Sequence, residues 1–184
     1  MKDSGESFSG ARRPSARSLA RISASVALAA VGSTVKLPSP VGSVALDSWP
    51  GYLLALTAGP DGACVALVGH LVSGMIAGFP LSLPLHAVVA VEMAVCALAF
   101  RWAAQGMGLV AGAVVAVILN GIAAPFALLP WLGLPLALSL IVPLSMAAGV
   151  NVAIAVVLYK AVGPRLFGST PSIGLWRRFH EKRH

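Results

Sequence analysis

Apolar residues in this chain come in long runs and do not alternate with polar ones. Six stretches carry few charges: about Ser18 to Val35, Val44 to Ala58, Gly62 to Ala77, Leu85 to Ala103, Met107 to Leu129 and Leu134 to Tyr159. Between them stand residues that stop helices, namely Pro38 and Pro40, Gly59–Pro60–Asp61–Gly62, Phe79–Pro80 with Pro84, Gln105–Gly106, Pro130, and then Gly163–Pro164. A membrane crossing takes about 20 helical residues. The pattern therefore predicts an all-α fold, an integral membrane bundle of six transmembrane helices over residues 18–162, the second and third of them short. A basic tail is expected at 1–17 and another at 163–184, and six crossings leave both on one side.

Composition agrees with the pattern, because 58% of the residues are hydrophobic, only 10% are charged and the mean hydropathy is +0.87. A soluble domain needs a more polar surface than that. With 184 residues, the chain fills the bundle and leaves no length for a second soluble domain. Charge then chooses the side. If both ends are cytoplasmic, all but one of the 13 Lys and Arg residues lie inside, and only Lys36 is left outside. The positive-inside rule predicts an N-in, C-in, multi-pass protein of the cell membrane. The net charge of +7 needs no nucleic acid to explain it, since basic tails beside spans set topology and meet anionic lipid. Arg12 to Arg21 followed by Ala27–Leu28–Ala29 also fits a cleaved leader, but removal would leave five spans and strand the Lys36–Asp47 loop.

Polar groups inside the runs are costly and usually face a cavity, a partner or a cargo. His70, Glu92, Asn120 and Asn151 are such groups. Counting at 1.5 Å per residue from the outer ends puts His70 and Glu92 roughly 10–12 Å below the outer surface, with Asn120 at a similar depth and Asn151 deeper. Ser73 stands one turn from His70 on the same helix face, and His86 sits at the outer end of the fourth run. Together they make a wall open to the outside. The plainer alternative is that each asparagine bonds across helices, worth about 0.6 kcal/mol, and that His70 with Glu92 forms a buried pair.

Other chemistries find little support. His70 and His86 are sixteen residues apart on different segments, and neither Cys64 nor Cys96 has a histidine at ligand spacing, so no metal site is expected. Ser73 lacks the Gly-x-Ser-x-Gly elbow of a nucleophile. The absence of a Gly-x-x-x-x-Gly-Lys-Ser/Thr loop assigns any ATP hydrolysis to other chains. No inverted repeat with paired broken helices is evident. A small intramembrane enzyme using His70, Ser73 and Glu92 and an unrelated transporter or channel subunit stay open as alternatives.

Several segments carry a resemblance. They are the basic N-terminus leading into Ala20-x-x-x-Ala24, Val44–Ala45–Leu46–Asp47–Ser48–Trp49–Pro50–Gly51, Gly59–Pro60–Asp61–Gly62–Ala63, and Gly69–His70–Leu71 through Gly78–Phe79–Pro80, Leu83–Pro84 and His86. Together, over roughly Arg17 to Val162, they resemble the substrate-binding S components of energy-coupling factor (ECF) vitamin transporters, and within them the branch for cobalamin precursors of the α-ribazole type. The resemblance implies a six-helix subunit without enzymatic activity or cofactor that takes a vitamin or precursor from outside. Its partners would be a transmembrane coupling subunit and two cytoplasmic ATPases. Docking on the coupling subunit would use the small-residue face that Ala20 and Ala24 match. The candidate ligand contacts, from depth and chemistry, are Asp47, His70, Ser73, His86, Glu92 and Asn120. Trp49, Phe79, Phe126 or Trp131 could stack on a ring, and the Pro-rich loop Lys36 to Ser43 is a natural lid. The tail from Ser169 to His184 is longer and more basic than the family needs.

Overall fold

The computed structural model describes residues 15–167; both terminal tails otherwise lie outside the described residues. Helix α1 (Ala16–Gly32) begins at Ser15, whose side chain accepts from the Ser18 N–H at 3.1 Å, as a helix start requires. It gives way to two short strands, β1 (Lys36–Ser39) and β2 (Gly42–Ala45), paired antiparallel with Lys36 opposite Ala45 and Ser39 opposite Gly42. The expected lid is therefore a hairpin, a departure from a wholly α-helical chain. Pro38 is tolerated because a two-stranded ribbon is all edge, and Gly42 supplies the positive φ of 107° that the tight turn needs.

Helix α2 (Trp49–Ala58) starts four to five residues later than the apolar run, because that run's first residues are spent on β2 and a short loop. It ends at Gly59, whose φ of 68° breaks the helix, and Pro60 at once opens α3 (Pro60–Ile76). The two helices then run so close that a Cβ on Gly62 would collide with the Ala55 backbone. Helices α4 (Leu83–Met107) and α5 (Leu109–Ile118) meet at Gly108, φ 97°. Beyond α5 the chain widens into one π-helical stretch, Leu119–Ala123, before the short α6 (Ala124–Ala127). The last helix, α7 (Leu129–Phe167), is sharply bent at Gly133, φ 71°.

Three helical stretches are long and apolar enough to cross a membrane: Leu83–Met107, Leu109–Ala127 and Leu129–Gly163. The helix Pro60–Ile76 is apolar but shorter, and α2 has only 10 residues, about 15 Å of rise. The segments expected over Val44–Ala58 and Gly62–Ala77 are thus the short ones, as read from the sequence. Large apolar side chains such as Val91, Val95, Trp102, Val110, Val114 and Val142 point outward, Trp102 at 73% exposure. Such an apolar exterior suits lipid and would be a liability in water.

Inside, α3 packs between α1, α2 and α4, while α7 closes the bundle against α2 and α5. The core joins Tyr52 and Leu56 of α2 to Met93, Cys96, Ala97 and Phe100 of α4, with Ala116 of α5 and Val152 and Ala155 of α7. Tyr52 meets Phe100 edge to face, 5.4 Å between ring centres.

A polar cavity beneath the hairpin

Three helices turn one face each toward a common space. On α3 these are His70, Ser73, Gly74 and Ala77; on α4, His86, Val89 and Met93; on α7, Leu140, Leu144, Ala147, Ala148 and Asn151. The spacing of three, four and seven is that of a helix face. The π-helical stretch contributes Asn120, the hairpin covers the space with Lys36, Val41 and Ser43 to Ala45, and the loop before α2 adds Asp47 and Ser48. They enclose a void of about 120 Å³. A single water needs about 10–15 Å³ of such space, so the void holds on the order of ten waters, or one small ring-bearing molecule.

Asp47 is buried at 7% exposure. Its Oδ1 accepts from the Ser48 hydroxyl at 3.0 Å, its Oδ2 lies 3.7 Å from His70 Nδ1, and Ser73 lines the same cavity. Hydrogen bonds given to a carboxylate favour its charged form. His70 stacks on His86, ring centres 5.6 Å apart and planes 19° from parallel. The ring of Phe79 meets His86 edge-on at 5.3 Å. His86 Nδ1 lies 2.9 Å from the Ser82 carbonyl, an acceptor only, so this nitrogen carries the proton. His70 Nε2 is buried with no hydrogen-bond partner.

The loop that carries Phe79 and Ser82 is held in positive φ, 50° and 79°. Side chains rarely adopt this region, and such strain gathers where the surrounding structure imposes a shape. Here the loop sets Pro80 and Leu81 against the cavity and aims the Ser82 carbonyl at His86.

Five of the candidates read from the sequence come together on this wall: Asp47, His70, Ser73, His86 and Asn120. Asn120 donates to the Tyr52 hydroxyl at 3.2 Å. Three others do not line it. Glu92 accepts from Cys96 Sγ at 3.3 Å, so the pairing with His70 is replaced by one between His70 and Asp47. Trp49 packs against the core, and Phe79 stands behind His86. Phe126 and Trp131 are largely exposed, at 43% and 60%. Ala20 and Ala24 lie on an exposed face of α1. The enzyme arrangement is not assembled among the described residues: His70 faces Asp47, and Glu92 accepts from Cys96. No group of three or more His, Cys, Asp or Glu residues that could hold a metal ion is gathered among them either.

Asn151, placed deeper by sequence reasoning and left out of the candidate ligand contacts, lines the cavity and bonds across to the start of α2. It is 1% exposed, and its Oδ1 accepts from the backbone N–H of both Ser48 and Trp49 at 3.0 Å while its Nδ2 donates to the Ala147 carbonyl at 2.9 Å. These are the unpaired N–H groups of the α2 start. A lone amide in an apolar run was the available signal, and its assigned depth set it apart from the others.

No family model matches the chain, and no curated protein does. One solved structure, that of the S component of a bacterial ECF transporter, matches with a TM-score of 0.59 at 22% identity, over 79% of this chain and 95% of that one. The fold is that of an S component.

Proposed function

We propose that this chain is the substrate-binding subunit of an ECF-type importer, an integral membrane protein of six segments with both termini in the cytoplasm. The observation that carries the reading is a largely apolar cavity with a cluster of polar side chains, inside a fold shared with an S component and roofed by a hairpin. In this reading a vitamin or precursor enters from outside, is held without covalent chemistry, and is released inward when a transmembrane coupling subunit and two ATPases act on the loaded subunit. A void of about 120 Å³ is far too small for a complete corrinoid, and a nucleoside-sized precursor would need the hairpin to move outward. The subunit itself is a receptor and not an enzyme. The exposed Ala20 and Ala24 face of α1 is the proposed seat of the coupling subunit.

The test is thermal stabilisation of the detergent-purified protein by α-ribazole, cobalamin, thiamine, riboflavin and biotin, since a ligand that binds only the folded state raises the melting point. One clear response is expected, and it should be lost in His70→Ala. Silence across the panel would count against the receptor reading. Ala20→Leu with Ala24→Leu should spare binding and stop uptake in cells that hold the partner subunits.

A further inference from the structure

Asp47 places a carboxylate inside the cavity with only the His70 ring, 3.7 Å away, as a potential cationic neighbour. Among the described residues no Lys or Arg nitrogen lies within 4 Å of it. Arg21 is paired with Asp61, and Arg101 is spent on the Ala55 carbonyl. Lys36, on β1, also lines the cavity but is an exposed residue and makes no ion pair with Asp47. His70, at 3.7 Å, is beyond hydrogen-bond reach, and the hydroxyl of Ser48 donates to the charge without neutralising it. A buried charge with a hydroxyl dipole and one histidine at 3.7 Å is still expensive, and it is relieved by a full opposite charge brought into contact.

The remaining walls point the same way. With the proton fixed on Nδ1 by the Ser82 carbonyl, a neutral His86 presents only a lone pair at Nε2. Asn151 has committed its oxygen to Ser48 and Trp49 and one of its two amide hydrogens to Ala147. The groups nearest the Asp47 carboxylate thus include a second acceptor, the His86 lone pair, and a carboxylate or phosphate cargo placed there would meet a like charge. From this we infer that the cavity selects a small nitrogen heterocycle or amine bound as a cation, its positive group set against Asp47. The inference rests on the receptor reading and narrows its cargo. A weakly basic ring, such as a benzimidazole, would enter as its protonated form.

The experiment compares matched charges on the full-length protein in detergent. Cationic thiamine and 1-methylnicotinamide, neutral riboflavin and nicotinamide, and anionic biotin and nicotinate are scored by thermal shift and then by calorimetry. The cationic members should bind best, and Asp47→Asn should weaken them roughly tenfold or more while leaving neutral compounds unchanged. Tighter binding of a neutral or anionic compound would overturn the cation assignment and leave the receptor intact. No response from any charge class would overturn both. If Asp47→Asn does not fold, the wild-type ranking decides alone.

Discussion

Replacing Asn151 by Leu should loosen the start of α2 more than the loss of an ordinary interhelical hydrogen bond would suggest. Interhelical bonds inside membrane proteins average about 0.6 kcal/mol, because the alternative states also find partners. The Asn151 bonds differ in kind. Its oxygen serves two backbone N–H groups, those of Ser48 and Trp49, both at 3.0 Å, and Asn151 is only 1% exposed. Leaving a buried donor unpaired costs about 1–3 kcal/mol. Two donors, less the gain from packing a Leu side chain in place of an amide, give an expected loss of about 2–4 kcal/mol. The assay is unfolding in mixed detergent with increasing dodecyl sulfate, read by circular dichroism, with hydrogen exchange to localise the effect. Amides 46–49 should exchange faster in Asn151→Leu while those around Phe100 in α4 stay protected. Asn151→Asp, which keeps an acceptor oxygen, should recover part of the loss. A change below about 0.6 kcal/mol with undisturbed exchange at Ser48 and Trp49 would refute the reasoning.

Two further outcomes follow from the packing. Arg101 Nη1 donates to the Ala55 carbonyl at 2.7 Å, near the end of α2, so Arg101→Met should cost about 1.5–3 kcal/mol in the same unfolding assay, the range for hydrogen bonds to charged groups. Equal stability would mean that the Gly59 N–H, which also bonds this carbonyl at 3.2 Å, suffices alone. A Cβ on Gly121 would meet the backbone of Ser145, so Gly121→Ala should push the π-helical stretch away from α7 and lose about 1–3 kcal/mol. A gain in melting temperature would show that the two segments part easily.

The helices were legible because their chemistry is local. Runs of apolar residues with Gly59–Pro60 between them mark where helices must stop, and the structure stops one there; the stop expected at Gln105–Gly106 falls instead at Gly108, and α7 runs on through Gly163–Pro164. Most of the cavity wall was legible for the same reason, since His70 and Ser73 share a face by spacing alone and a polar group in such a run has to be satisfied somewhere. What the sequence hides is where each segment begins relative to the others. Counting from loops assumes that every helix starts at a surface. α2 does not: the chain first turns back through the hairpin, and Trp49 begins its helix beside Asn151, 18 residues beyond the bend in α7, about 27 Å along it. The bend at Gly133 shifts the count again. Asn151, assigned a deeper layer by counting, therefore meets the loop that carries Asp47, whereas Glu92, assigned the same layer as His70, turns to Cys96.

One consequence ties stability to binding. The carboxylate that faces the cargo sits on the residue just before Ser48, and the segment from the hairpin to α2 is pinned to α7 through the Asn151 oxygen. A cargo that draws Asp47 inward pulls on the same segment that holds the hairpin closed over the void, because Lys36 pairs with Ala45 two residues before Asp47. Binding and closure then share one piece of backbone. Asn151→Leu should accordingly weaken the response to a bound ligand even though Asn151 need not touch it, and should raise the rate of ligand release more than it lowers the rate of entry. Stopped-flow kinetics with the best ligand of the panel would separate the two rates, and a variant with unchanged release would show that the hairpin closes independently of the α2 start.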